Sequence, residues 1–327
     1  MSSVLIENKA LAPAVFLAPL AGITDLPFRN LVSGFGAGLV VSEMVASQDM
    51  VQARPSMRAR AELGFGAENT AVQIAGREAY WMAECAKLCA GNGAKIIDIN
   101  MGCPSKTVTH GQSGSALMKT PDFALSLIEA VVNAVDVPVT LKTRLGWDDT
   151  MLNAPQIAKS AEAAGVQMVT IHGRTRCQLY KGKSDWAAIA RVKNALDIPV
   201  IANGDIVDSA SAKCALEQSG ADGVMVGRGA QGRPWILAEI AHDIYGYAPP
   251  KIPYGYKLIE VISTHYEAML SFYGAELGTK VARKHLGWYM DGLGTPKSLR
   301  QAIFTEKNPK LVLSLIARLN DVRGLAA

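Results

Sequence analysis

Residues 96–118 read IIDINMGCPSKTVTHGQSGSALM. An apolar run ends on Asn100, and a thiol, Cys103, follows just before a proline and a loop of small polar residues. A protonated thiol can act as a general acid, and an amide beside it can hydrogen-bond a ligand edge. Seven other apolar runs also end on chemically capable groups. Their ends carry Pro19, Leu20 and Ala21; Glu43; Gln73; Lys142 with Arg144; His172 with Arg174; Asn203, Gly204 and Asp205; and Gly227 with Arg228.

Taken singly, these residues are weak signals. Lys142 in VTLKTR can simply reach solvent from a strand end, and a lone His172 is more often structural. Cys85 and Cys89 are spaced four apart on a helix-like segment with no further Cys or His to complete a metal site, so they read as buried core. Cys177 and Cys214 carry no special pattern, and Asp148 with Asp149 reads as a helix N-terminal charge pair or a solvated loop. A common architecture would turn the scattered tips into one site.

The runs VFLAPLAG, GLVVSEM, TAVQIAG, IIDINMG, PVTLKTR, MVTIHGR, PVIANGD and DGVMVGR begin near residues 15, 38, 70, 96, 138, 168, 199 and 223. Helix-like segments such as EAYWMAECAKLCAGNG and NAPQIAKSAEAAG lie between them, and several stop at glycine. Near-continuous apolar strands alternating with helices imply parallel pairing with both faces covered. Eight such units in about 230 residues predict an α/β fold, a (β/α)8 TIM barrel, in which the strand C-termini converge on one cup. The first strand's AGITD lacks the glycine pattern of a doubly wound dinucleotide fold.

The rhythm changes after the eighth unit. IYGYAPPKIPYGY reads as a linker, and the remainder shows helix-like patterns only: KLIEVISTHYEAMLSFYG, TKVARKHLGWYMDGL and NPKLVLSLIARLNDVRG. The expected division is a catalytic barrel over 1–243, a linker over 244–256 and a small helical bundle over 257–327. The last part is also the basic part. Residues 241–327 carry 11 Lys and Arg against 7 Asp and Glu, whereas the preceding 240 residues hold 22 of each sign. Such a surplus fits a polyanionic partner or a solvated helical surface.

Of the 327 residues, 49% are hydrophobic and 19% charged, as a packed globular chain requires. No apolar run approaches the roughly 18 residues of a membrane span, and the first 20 residues lack the layout of a secretory signal. Five cysteines without framework spacing suit a reducing compartment, so a cytoplasmic protein is expected, with no membrane partner. A monomer in solution is the default expectation.

Two features favour a functional cup. The loops NGD and GRGAQGRP after the seventh and eighth runs are glycine-rich, as phosphate-binding loops of barrels often are, and Arg228 adds a fixed positive charge. The cup also offers amide, ammonium, imidazole and guanidinium groups but few carboxylates. That set suits a phosphate-bearing cofactor with hydrogen-bonding ring edges, such as FMN, and no metal is expected.

APLAGITDLPFR, VSEM, VQIAG, DINMGCPSKTV with GSALM, LKTRLGW, TIHGRTR, PVIANGDI and VMVGRGAQGRPW together resemble the tRNA-dihydrouridine synthases, nearest their bacterial B-type branch. RKHLGWYM resembles the family's helical segment, so the likeness covers essentially the whole chain. The resemblance implies that Pro19, Leu20, Ala21, Gln73, Lys142 and His172 contact FMN, with the phosphate on Asn203, Gly204, Asp205, Gly227 and Arg228. Leu20 stands where many relatives have methionine, a change that a backbone contact tolerates. It further implies NADPH as reductant, Cys103 as proton donor to a uracil ring, and Asn100 as a contact to the substrate base. Arg174 joins the substrate set by position only.

Reduction of the 5,6-double bond needs a hydride at carbon 6 and a proton at carbon 5, and a developing enolate needs nearby donors. A uridine within folded RNA must also be flipped out, at a cost of a few kcal/mol. The natural source of compensating tRNA contacts is the basic C-terminal part, with Lys280, Arg283, Lys284, Lys297 and Arg300. Two other readings fit the residues: a flavin barrel acting on a free pyrimidine, which turnover of free uracil would reveal, and a catalytically silent RNA-binding protein, which would purify without flavin.

Overall fold

The computed structural model describes residues 3–63 and 67–320. Eight parallel strands follow one another around a closed barrel: β1 Val15–Leu17, β2 Leu39–Val41, β3 Thr70–Ala75, β4 Ile97–Met101, β5 Val139–Arg144, β6 Met168–His172, β7 Val200–Asn203 and β8 Gly223–Val226. Closure is made by Val224 opposite Val15 between β8 and β1, and by Val40 opposite Thr70 between β2 and β3. This is the TIM barrel expected from the eight apolar runs.

The strands look continuously apolar in sequence because both of their faces are covered. Side chains such as Val15, Leu17, Val72, Ile97, Ile99, Leu141, Val169, Ile171 and Val224 join one large cluster with the surrounding helices. The alternate positions point into the barrel, and these change character along its axis. Phe16, Leu39, Ala71, Met168, Ile201 and Met225 form an apolar layer with Val4, Ile6 and Leu11. The last three come from an antiparallel hairpin, Val4–Ile6 with Lys9–Leu11, which the sequence reading passed over. Nearer the strand ends the inward positions become Gln73, Asp98, Asn100, Thr140, Lys142, Thr170, His172 and Asn203. A strand's two-residue period thus places apolar contacts outside and the polar cup inside.

Local capping fixes the barrel helices. Asp25 accepts from the Phe28 N–H to start Leu26–Gly34, and Asp208 with Ser211 makes a reciprocal capping box for Ser209–Ser219. Ala79–Gly91 buries Cys85 and Cys89, as a core reading requires. Asp148 lies in a loop, accepting from the Thr150 N–H and hydroxyl, and the next helix starts only at Ala154–Ala163.

Among the described residues the C-terminal part contains four helices, Tyr256–Tyr273, Ala275–Leu293, Lys297–Thr305 and Pro309–Ala317. The third was absent from the sequence reading: it has nine residues and buries only Ile303, too little for a periodic signal. Residues 321–327 of the expected bundle lie outside the described residues. The bundle core includes Leu258, Ile262, Tyr266, Leu286, Met290 and Ile316. It also takes in Trp235 and Phe35 from the barrel, whose rings pack edge to face at 5.9 Å. Among the described residues, no helix is long and apolar enough to cross a membrane.

Candidate active site

The cup is built from neighbouring strands. Asn100 on β4 stands opposite Lys142 on β5, and Arg144 stands opposite His172 on β6. Beyond β4 the chain turns back on itself. The Asn100 carboxamide oxygen accepts the backbone N–H groups of Gly102 at 3.2 Å and Cys103 at 3.0 Å. The Cys103 carbonyl accepts the Ser115 hydroxyl at 2.8 Å, fastening the far end of the loop beneath the thiol. Gly114 sits at φ +60°, and a Cβ there would come within 2.9 Å of the Cys103 carbonyl oxygen and 2.8 Å of Val108. Cys103 is half-buried at the mouth.

Behind Asn100 the contacts continue inward. Its amide nitrogen donates to Gln73 Oε1 at 2.7 Å, and Gln73 Nε2 donates to Asp98 at 2.7 Å. Asp98 also accepts the Thr140 hydroxyl at 2.6 Å. Burial pushes the Asp98 carboxyl up to about 6, against the Thr140 and Gln73 hydrogen bonds and the Lys142 charge.

Lys142 is buried and donates to Asn203 Oδ1 at 3.0 Å, while Asn203 Nδ2 donates to the Met225 carbonyl at 2.7 Å. Burial, helped by Arg144, lowers the Lys142 ammonium to about 8; Asp98 and Cys103 oppose the shift. Burial and then the surrounding cations hold His172 well below its ordinary value, so its imidazole is neutral.

Two of the expected site residues have side chains already engaged within the protein. Arg174 is 1% exposed and spends five N–H donors inside the protein. Nε donates to the Lys181 carbonyl, Nη1 to Ser184 Oγ and Asp205 Oδ1, and Nη2 to the Gly182 carbonyl and Asp205 Oδ2, at 2.5 to 3.2 Å. It organises a loop and has no donor left for a substrate. The Asp205 side chain receives Arg174, the Ser184 N–H and Arg228. Burial alone would raise its carboxyl, but those partners outweigh burial and hold it below the usual range. Asp205 thereby ties Arg174 and Arg228 together. Gly204 sits between them at φ +113°, where a Cβ would run into Ser184 Oγ and His172.

Asn203 is likewise committed, its side chain to Lys142 and Met225 and its carbonyl to the Gly173 N–H at 2.9 Å. Arg228 is half-exposed, and Gly227 leaves room over the end of β1: a Cβ there would find Ala18 and Leu20 only at 3.7 Å. Pro19 and Leu20 are half-buried and Ala21 exposed on the adjoining loop. A buried ammonium, a neutral imidazole, two amides and an arginine beside two glycine-bearing loops match the donor set that an anionic, ring-bearing cofactor needs. No group of three or more metal-ligating side chains occurs among the described residues.

Tyr180 was missed in the sequence. Its ring is 52% exposed, with the guanidinium carbons of Arg228 at 5.0 Å and Arg144 at 5.7 Å. Arg144 is itself tied to the Gly102 carbonyl at 2.8 Å and to the Thr175 and Leu179 carbonyls, so it couples the Cys103 loop to the loop after β6. The available signal was an aromatic residue among the basic residues of RTRCQLYKGKSD.

The helical part abuts this mouth. Lys284 on Ala275–Leu293 donates to the Gly22 carbonyl in the loop after β1, and Gly22 in turn donates to buried Glu43. Lys284 therefore lies in the joint, whereas Lys280 is exposed and paired with Glu276 at 2.7 Å. Arg283 is half-buried. Gly232, in the loop after β8, packs against the backbone of Trp288 on the same helix.

The chain matches the family model described as dihydrouridine synthase (Dus) over residues 16–320. It is 60% identical to a probable tRNA-dihydrouridine synthase of Rhodobacter capsulatus, over 96% of this chain and 97% of that protein. Against the tRNA-dihydrouridine synthase B of Vibrio vulnificus, identity is 46% over 87% and 88% of the two chains. A solved morphinone reductase, 13% identical, superposes with a TM-score of 0.55 over 78% of this chain and 93% of that one, a likeness of fold alone.

Proposed function

The chain belongs to the dihydrouridine synthase family, and from that premise we propose that it reduces a uridine of the tRNA D-loop to 5,6-dihydrouridine, using FMN in the cup and NADPH to reduce the flavin. Bound FMN would supply the hydride for carbon 6. Pro19, Leu20, Ala21, Gln73, Lys142 and His172 would hold the ring, and the backbone of 203–205 with Gly227 and Arg228 the phosphate. Lys142 brings a positive charge out of water and His172 a neutral ring, which together favour a partly anionic ring system.

Cys103 delivers the proton to carbon 5. The observation that carries this reading is the tie between its backbone N–H and Asn100, which fixes the thiol one strand away from buried Lys142. Charge that develops on the uracil carbonyl meets donors already in place, each worth on the order of a few kcal/mol in a dry site. Lys280, Arg283, Lys297 and Arg300 would meet tRNA phosphates, with Lys284 serving the joint.

Replacing Cys103 with alanine is expected to abolish dihydrouridine formation, read by mass mapping of tRNA, while the purified protein keeps its yellow flavin. Full activity in that variant would remove the assigned role. A colourless wild-type protein would remove the flavin, and efficient turnover of free uracil would transfer the substrate to another class.

A further inference from the structure

Asp98 has no part in the chemistry described so far, yet it stands at the inner end of the amide line. A carboxylate only accepts hydrogen bonds, and backbone N–H groups only donate. The line from Asp98 through Gln73 and Asn100 to Gly102 and Cys103 therefore has an acceptor at one end and donors at the other. A single arrangement of the two carboxamides satisfies both ends. It saturates the Asn100 oxygen with two N–H groups and uses one of its two amide hydrogens on Gln73. One capacity remains on that side chain, an N–H donor.

We infer that Asp98 is a positioning residue: through Gln73 it holds Asn100 as a one-way donor, so the site selects a ligand carbonyl at that point and turns away an amino group. The inference rests on the proposed function only for the identity of the ligand, a pyrimidine carrying a carbonyl where its aminated counterpart carries an amine. The polarity itself belongs to the protein.

The test is a double-mutant cycle at pH 8, comparing Asp98→Asn, Asn100→Asp and the combined variant. Asp98→Asn alone is expected to melt within about 3 °C of wild type, because the Thr140 hydroxyl can rotate to accept the new amide. Asn100→Asp places acceptors at both ends of Gln73 and is expected to lose about 5 °C or more. In the combined variant Gln73 turns over, every group in the line is again paired, and at least half of that loss returns. Turnover is not expected to return, since position 100 no longer donates; a role in packing alone would restore both together.

A combined variant no more stable than Asn100→Asp overturns the polarity. A combined variant with wild-type turnover overturns the donor role. Should Asn100→Asp fail to fold, a folded combined variant supports the inference and an unfolded one ends it. The melting arm involves no substrate, so its failure is distinct from a failure of the dihydrouridine reading, which only the turnover arm touches.

Discussion

Cys103, the proposed proton donor, is placed by groups that would not react. Its N–H is held by Asn100, its carbonyl by Ser115, and the turn behind it passes through Gly114 at φ +60°. Gly114→Ala should therefore act on the thiol without touching a ligand. Both the backbone angle and the contact at 2.9 Å with the Cys103 carbonyl oxygen disfavour a methyl group there. A loss of about 1–3 kcal/mol in stability and a fall of at least tenfold in kcat are expected, measured by denaturant melts and tRNA turnover. Wild-type kcat in a folded variant would show that the turn does not aim the thiol. The place of Cys103 and Lys142 at strand ends was legible in the sequence because each ends an apolar run. The acceptors of Arg174 were not, because they come from residues 181–184 and 205, brought together only by the loops after β6 and β7.

The barrel strands were legible from their apolar runs, and the long helices from their periodicity. The short hairpin at the closed end of the barrel and the helix Lys297–Thr305 were not, since each is too brief to carry a pattern. Nor could the sequence show which elements dock. The joint between barrel and bundle gathers Phe28, His265 and His285, with the Phe28 ring 5.7 and 5.0 Å from the two imidazoles. Both histidines are buried, with their imidazole rings 4.8 Å apart, and neither Nε2 has a hydrogen-bond partner among the described residues. Tyr273 donates to Asp25 across the same joint at 3.0 Å.

Burial lowers His265 to about 4, whereas an unfolded histidine titrates near ~6.5. The unfolded chain thus binds the proton first as pH falls. The stabilisation from a neutral His265 is complete above about 6.5 and is lost on the way down to about 4, by up to roughly 3 kcal/mol. Burial pushes Asp25 up to about 6, against the Phe28 and Tyr273 hydrogen bonds, which makes an opposing slope over a similar range. The histidine contribution is isolated by subtracting a His265→Gln variant: the stability difference between wild type and variant should shrink as pH falls from 6.5 to 4. A difference that does not vary with pH would mean His265 is already charged in the folded protein.

Across the whole molecule, charge follows anatomy. The barrel portion carries balanced charge, and the positive excess lies in the last 87 residues. If this bundle grips RNA phosphates, tRNA affinity should fall steeply with salt, by at least tenfold between 50 and 200 mM, with a slope of about 0.9 per phosphate contact. Titrations at several salt concentrations measure that slope directly. Removing Lys297 and Arg300 together should reduce it by up to about two while leaving flavin content unchanged. An unchanged slope would move the grip elsewhere on the surface.

The helix Ala275–Leu293 touches the loops after both β1 and β8, through Lys284 against Gly22 and Trp288 against Gly232. Those loops flank the seam where the first strand meets the last. During translation, at about 5–20 residues per second, the first strand must wait for more than 200 residues before β8 can pair with it, and longer still for this helix. A chain released after residue 250 would hold all eight strands and could close them, but with the mouth of the barrel still unbraced.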